Sequence, residues 1–231
     1  MERDQQLTTD VRNYCDKIGV DVVGFADPLL FERYSEENRP HAFLKDLKTV
    51  IVIGFHLYDI ILDAWSHKEG EGIWTHQFAD AVVEQFCHGV RRLLLKRGYN
   101  SRVIPYRPGL YLKEAAALAG IGPIGKNNLL ITNLFGSQVR LRALVTTAPL
   151  ICGDPIKESK YCKECNICIE ACPAKALYSG KYSREKCYIY LETHKRSLSD
   201  FTVIECNKCI EVCPIGKNRN ISKEDSSEKK I

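Results

Sequence analysis

Four cysteines at 162, 165, 168 and 172 stand in "YCKECNICIEACPAKAL" with the spacing C-x2-C-x2-C-x3-C-P, which gathers thiolates around an iron–sulfur cluster. A second run, "ECNKCIEVCPIG", supplies Cys206, Cys209 and Cys213, again followed by proline. Aligned on its C-P end, this run lacks the first cysteine, and Val203 holds that position. In two-cluster ferredoxins the fourth cysteine of each run ligates the other run's cluster. Applied here, one cluster takes Cys162, Cys165, Cys168 and Cys213. The other takes Cys172, Cys206 and Cys209 and is one ligand short; Cys187, in "REKCYIY", is the nearest candidate. Eight ligands then serve two four-iron (4Fe-4S) clusters, near enough to each other to act as a short electron wire. A zinc ribbon competes, because C-x2-C pairs also hold tetrahedral zinc. Zinc leaves the third and fourth cysteines of the first run and both prolines unexplained. Cys15, Cys87 and Cys152 lack partners at ligand spacing, and the first two fall on apolar helix faces as small buried hydrophobes.

A ferredoxin module needs only about 60 residues, and the 231-residue chain has some 150 before it. These read as an α/β layer. Helical rhythm runs through "QLTTDVRNYCDKIG" to a stop at Gly19, and β-branched runs at 20–26 and 49–56 predict buried strands. The spacing predicts a long helix over 73–98, a strand at "SRVIPY" and a second helix over 109–120. Two further strands, "NLLITN" and "QVRLRALVTTAPL", are expected to meet at a turn on Gly136. Beyond Pro149 the texture shifts to cysteines, lysines and short segments. The expected organisation is therefore a core over 1–152, a cluster domain over 153–217 and a disordered polar tail over 218–231. The block "GIGPIG" matches G-x-G-x-x-G at Gly120, Gly122 and Gly125, but it follows a helix, precedes a strand and contains Pro123. A close-packed turn is the plainer reading, although Lys126 can approach an anionic group.

The N-terminus is polar, no run nears the ~18 apolar residues of a membrane span, and eleven cysteines without an export signal favour ligation over disulfides. A cytoplasmic protein without membrane contact is expected. The formal charge of +4 is offset by two clusters that each carry about −2 with their thiolates. It is thus no argument for nucleic acid, and tRNA stands low among the expected partners.

"LKEAAALAGIGPIGKNNLLITNLFGSQVRLRALVTTAPL", with the paired clusters behind it, resembles the core of the epoxyqueuosine reductase and reductive dehalogenase superfamily. "KIGVDVVGFAD" and "TVIVIGF" extend the resemblance over most of residues 10–217. It implies a nitroreductase-like α/β (α+β) core that binds cobalamin, followed by a bacterial-type two-cluster ferredoxin domain. Gly122, Gly125, Lys126 and Asn127 would lie on the cofactor, and an upstream ferredoxin- or flavodoxin-type donor would feed the clusters. Epoxyqueuosine reductases carry an aspartate proton donor before the helix that leads into the glycine block. Here "IPYRPGLY" puts Tyr106 or Arg107 at that place. The arginine that dehalogenases carry in the following strand is matched by Arg140; near the place of their tyrosine stand Trp74 and His76. Reductive cleavage needs a proton donor and a positive group beside the developing anion. Tyr106 and His76 are the candidate donors, and Arg107 and Arg140 the candidate cations. Each has a plainer role: His76 as a helix cap, Tyr106 as a packed ring, Arg140 as a solvated strand residue. The reaction expected is a reduction of an unidentified small-molecule substrate; the alternative is an electron-transfer protein that reduces a docked partner.

Overall fold

The computed structural model describes residues 2–59, 65–69, 73–75, 77–178, 181–200 and 202–216. Its central strand is the most apolar segment of the chain, β2 (Thr49–His56), buried through its first six residues. β2 pairs antiparallel with β1 (Val22–Ala26) and with β6 (Val139–Thr146), and β6 pairs with the short β5 (Ser101–Val103), giving the order β1-β2-β6-β5. Because alternate side chains of a strand face opposite ways, β2 feeds two cores. Val50 and Val52 meet Leu141, Ala143 and Val145 with Ala115 and Ala116 of a short helix, α3 (Leu112–Leu118), and with Phe31 and Phe43 from 3-10 turns. Ile51 and Ile53 meet Leu144 with the inner faces of α1 (Gln5–Lys17) and α2 (Gln77–Lys96). Cys15 and Cys87 sit fully buried in this second core. α1 starts at Asp4, whose carboxylate accepts from the Leu7 N–H at 2.8 Å. The outcome is a three-layer helix–sheet–helix sandwich built on an antiparallel sheet.

Three expected elements differ. The helix over 73–98 is a strand, β4 (Ile73–Thr75), followed by α2 from Gln77. The strand expected over 101–106 stops at Val103. "NLLITN" makes only single bridges, Ile124 to Leu130 and Thr132 to Gly136. Its backbone groups are satisfied locally: Ile131 N–H donates to Pro123 O and Thr132 N–H to Gly136 O, both at 2.8 Å. The N–H groups of Asn128, Leu129, Ile131 and Thr132 are thereby taken up within the segment and its turns, not by β6.

The cysteine region holds two helices of four residues, α4 (Ile167–Glu170) and α6 (Lys208–Glu211), one of eleven, α5 (Arg184–His194), and the two-stranded ladder of β7 (Leu177–Tyr178) with β8 (Lys181–Tyr182). A second sheet joins the halves: β10 (Thr202–Ile204) pairs with β9 (Arg196–Ser199) and with β3 (Trp65–Glu69), which pairs with β4. Val203, at the place of the missing cysteine, is buried in this sheet. Among the described residues no helix is long and apolar enough to cross a membrane.

Candidate functional site

The two cysteine runs fold alike. Each enters a single helical turn after an asparagine, Asn166 before α4 and Asn207 before α6, and the two turns touch. Proximity sorts eight cysteines into two groups. Burial raises the Cys168 thiol, and Cys162, Cys213 and Cys165 beside it raise it further. Cys213 is raised by burial with Cys162 and Cys165 as neighbours, while the Ile215 N–H and the Ser137 hydroxyl donate to its sulfur. In the other group, Cys209 is pushed up to about 12 by burial, then by Cys206, Cys187 and Cys172, with Cys168 the last contributor. Cys206 is raised by burial, with Cys187 and Cys172 close by. Each run thus lends its last cysteine to the other run's group, and Cys187 arrives from α5. Donors surround the sulfurs of this group too: Ala176 N–H reaches Cys172 Sγ at 3.4 Å, and the Tyr182 side chain is hydrogen-bonded to Cys187. Among the described residues no three His, Cys, Asp or Glu side chains converge on a single-ion site.

The first group is seated on the core. A Cβ on Gly136 would collide with the Ile215 carbonyl oxygen, and one on Gly216 with the backbone of Phe135, so the two chains meet backbone to backbone. Lys126 Nζ donates to Lys163 O at 3.1 Å and to Asn166 Oδ1 at 3.0 Å, and Tyr161 Oη donates to Asn133 Oδ1 at 2.8 Å. The block expected to hold a cofactor is therefore engaged with protein. Gly122 and Gly125 admit Ile131, whose Cγ1 would stand 2.7 Å from a Cβ on Gly125. Asn127 is buried and donates to Ser137 Oγ at 3.2 Å. An open hollow of about 670 Å3 beside Cys165, lined by Lys160, Tyr161 and Lys163, leaves one side of the first group open to solvent.

At the neighbouring end of the sheet, Arg140 and Arg142 of β6 share the face that meets α2. Asp80 of α2 takes Arg140 Nε at 2.5 Å and Arg140 Nη2 at 3.0 Å, and accepts from Tyr106 Oη at 2.6 Å. Arg142 is buried, pairs with Glu84 at 3.3 Å and lies over the Tyr106 ring at 3.7 Å. Burial, aided by the bond to Asp80, pushes the Tyr106 hydroxyl up to about 12. Two of the expected catalytic residues, Tyr106 and Arg140, are thereby joined through an acid that sequence reasoning missed. Its signal is an i,i+4 acidic pair, Asp80 and Glu84, opposite an i,i+2 basic pair, and it becomes visible only once α2 and β6 are known to pack. Arg107 is exposed, and His76 lies outside the described residues. His56, ending β2, stacks on Phe135 at 4.3 Å between ring centroids, and burial pulls its pKa down. Its Nδ1, like Nε and Nη1 of Arg142, is buried with no partner among the described residues. Ser137, on the cysteine side, and Arg140, on the sheet side, are three residues apart, at most about 11 Å of chain.

No protein-family profile matches the chain. Over 231 residues it is 29% identical to the epoxyqueuosine reductase of Bacillus anthracis, covering 85% of this chain and 59% of that protein. The chain thus spans about three fifths of the length of that curated relative. A crystallised epoxyqueuosine reductase with an epoxyqueuosine-modified tRNA-Tyr stem loop superposes with a TM-score of 0.69 at 22% identity, over 92% of this chain and 66% of that one. A reductive dehalogenase whose structure suggested a mechanism for B12-dependent dehalogenation superposes with a TM-score of 0.64 at 15% identity, over 91% and 32%. The resemblance read from the sequence holds: in sequence the chain is similar to epoxyqueuosine reductases, and in fold to both groups.

Proposed function

We propose that this chain is a corrinoid-dependent iron–sulfur reductase whose substrate is an epoxide carried on tRNA. The observation that carries the reading is the pair of crossed cysteine groups, one bound through Ser137 to a core whose adjoining sheet end holds Tyr106, Asp80 and Arg140. The donor set suits clusters: thiols crowd one another and are met by N–H and O–H groups, so a cationic iron–sulfide core relieves their mutual repulsion. The sheet end suits a corrinoid, because the buried nitrogens of His56 and Arg142 and the exposed Arg107 match the amide carbonyls that fringe such a ring. When bound, a reduced corrinoid supplies a metal-centred electron pair.

The chain's own residues supply the rest. Reduction of an epoxide takes two electrons and two protons: one carbon–oxygen bond breaks, the carbon takes the electron pair, and the oxygen leaves as an alkoxide that needs the first of the protons. Tyr106 keeps its proton throughout the neutral range; in this structure the hydroxyl donates to Asp80, and Tyr106 becomes the proton donor when Oη turns from that carboxylate to the substrate oxygen. Asp80 orients that hydroxyl, and Arg140, held by the same carboxylate, faces the developing negative charge. Tyr106 thus takes the part that an aspartate plays in the epoxyqueuosine reductases the sequence resembles. Charge alone placed tRNA low among the partners; the likeness to epoxyqueuosine reductases, one of them crystallised with a modified stem loop, moves it to first. On and beside α5, Lys181, Arg184, Lys186 and Arg196 are exposed with Tyr182 and Tyr188, interspersed with the exposed acids Glu185 and Glu192, and supply cations and rings that a stem loop can use.

Anaerobically reconstituted protein is expected to hold eight irons, to bind cobalamin stoichiometrically and to reduce an epoxyqueuosine-bearing stem loop with a chemical reductant. Cobalamin left free in the presence of full clusters overturns the reading. The place of Tyr106 and Arg107, where the resembled reductases carry an acid, favours one alternative, an electron-transfer protein that turns over nothing itself. Turnover by the isolated chain excludes it, and full loading without turnover selects it.

A further inference from the structure

We infer that Asn127 and Ser137 form a directional hydrogen-bond relay that sets the reduction potential of the cluster held by Cys162, Cys165, Cys168 and Cys213. The inference rests on the two-cluster reading above and adds residues that lie outside the eight ligands. Its polarity follows from donor counting. The Leu129 N–H meets Asn127 Oδ1 at 3.1 Å, and since a backbone N–H can only donate, the atom facing it is the amide oxygen. The amide nitrogen of Asn127 is then the atom turned to Ser137 Oγ, 3.2 Å away, and it donates. Ser137 has one proton, and with its oxygen already accepting, that proton is free for the Cys213 sulfur beside it. Leu129 N–H therefore donates to Asn127 Oδ1, Asn127 N–H to Ser137 Oγ, and Ser137 O–H to Cys213 Sγ, which ends the relay as acceptor.

Packing fixes each member. Asn127 and Ser137 are 4% and 7% exposed, so water does not compete for their bonds. Gly125 lets the Asn127 side chain fold back, since a Cβ there would stand 2.9 Å from Oδ1. The backbone contact of Gly136 with Ile215 and Gly216 keeps Ser137 beside the second residue after Cys213. Among the described residues, the donors to the sulfurs of the other group are Ala176, Tyr182 and Lys208, all from the cysteine region itself.

Reduction adds negative charge to a cluster, and a donor to a ligand sulfur stabilises that charge, raising the potential. Loss of a bond worth roughly 1.4 kcal/mol in differential stabilisation is a tenfold change. The test is an EPR-monitored redox titration of reconstituted full-length protein. Ser137→Ala is expected to lower the reduced-to-oxidised ratio of one cluster about tenfold at fixed poise, ~59 mV for one electron. The second cluster is expected to stay unmoved and the iron content to remain eight. Asn127→Ala, which leaves every ligand and Ser137 in place, is expected to shift the same cluster the same way by less; Ser137→Thr, which keeps the hydroxyl, is expected to restore the wild-type value. Unmoved potentials in both alanine variants with eight irons retained overturn the relay, as does an equal shift of both clusters. Wild-type protein that assembles fewer than eight irons overturns the two-cluster reading instead, and the two failures are thereby distinguished.

Discussion

The two halves of the molecule are held together by different forces. The sandwich buries long apolar side chains on both faces of one sheet, with Phe25, Ile51, Ile53, Leu94 and Leu144 inaccessible to solvent. The cysteine region buries little: among its described residues Ala176, Leu177, Val203 and Ile210 are the closed apolar ones, and α5 buries none of its eleven. Helices of four residues have no stability of their own, since a nucleus costs more than one turn returns. A fold with so little apolar closure depends on cross-links, and here the proposed cross-links are metal–thiolate bonds.

The sharpest way to break that contrast is to take the metal away. Chelation of iron from oxidised protein is expected to abolish amide-exchange protection across residues 161–213 while protection in β2 and β6 persists. Equal protection in both halves without iron would show that the cysteine region folds on packing alone. The converse change acts on the other half. Leu144→Ala removes a side chain from the centre of the second core and is expected to cost about 2–5 kcal/mol in denaturant unfolding. Iron per folded molecule is expected to stay constant, and a loss of iron would mean that the halves are not independent.

Cysteines sharpen the comparison because both halves contain them. Cys187→Ala is expected to remove about half the iron, leaving the group of Cys162, Cys165, Cys168 and Cys213 loaded. Cys87→Ala is expected to leave iron untouched and to cost roughly 1 kcal/mol of core stability. The expected difference between these residues rests on their spacing in the sequence. Cys87 sits at helical spacing among Val83, Val90 and Leu94, whereas Cys187 stands between two runs of which one is a ligand short. Spacing is a local property, so the cysteine runs and the β-branched strands could be read from it directly. The sheet end could not. Tyr106 and Arg140 were visible one at a time, but Asp80 joins them across 26 and 60 residues of chain, a contact that only the packing of α2 on β6 creates. Ser137 was hidden likewise, because its partner Cys213 is 76 residues further on. "NLLITN" misled for a different reason: β-branched residues favour extended backbone, but the hydrogen bonds that decide between strand and turn go to Pro123 and Gly136.

The smallest effect expected separates the same two sets of thiols by pH. Burial pushes Cys15 up to about 12 and raises Cys87 as well, from an ordinary thiol value near 9. In the unfolded chain both ionise first as pH rises. Their contribution to core stability is complete below about pH 9 and declines as pH climbs toward 12. Tyr106, also pushed up to about 12, adds a decline of the same sign from about 10. Iron-bound cysteines are thiolates already and contribute no such slope. The urea midpoint of the core is therefore expected to fall between pH 9 and 11, and to fall less steeply in a Cys15→Val, Cys87→Val double variant. The residual slope belongs to Tyr106 together with Tyr34, whose hydroxyl burial likewise pushes up to about 12, and is expected to shrink, not vanish, in Tyr106→Phe. Should the double variant keep the full wild-type slope, the buried thiols are not what the alkaline transition titrates, and Cys15 and Cys87 would be packed in a way their burial does not describe.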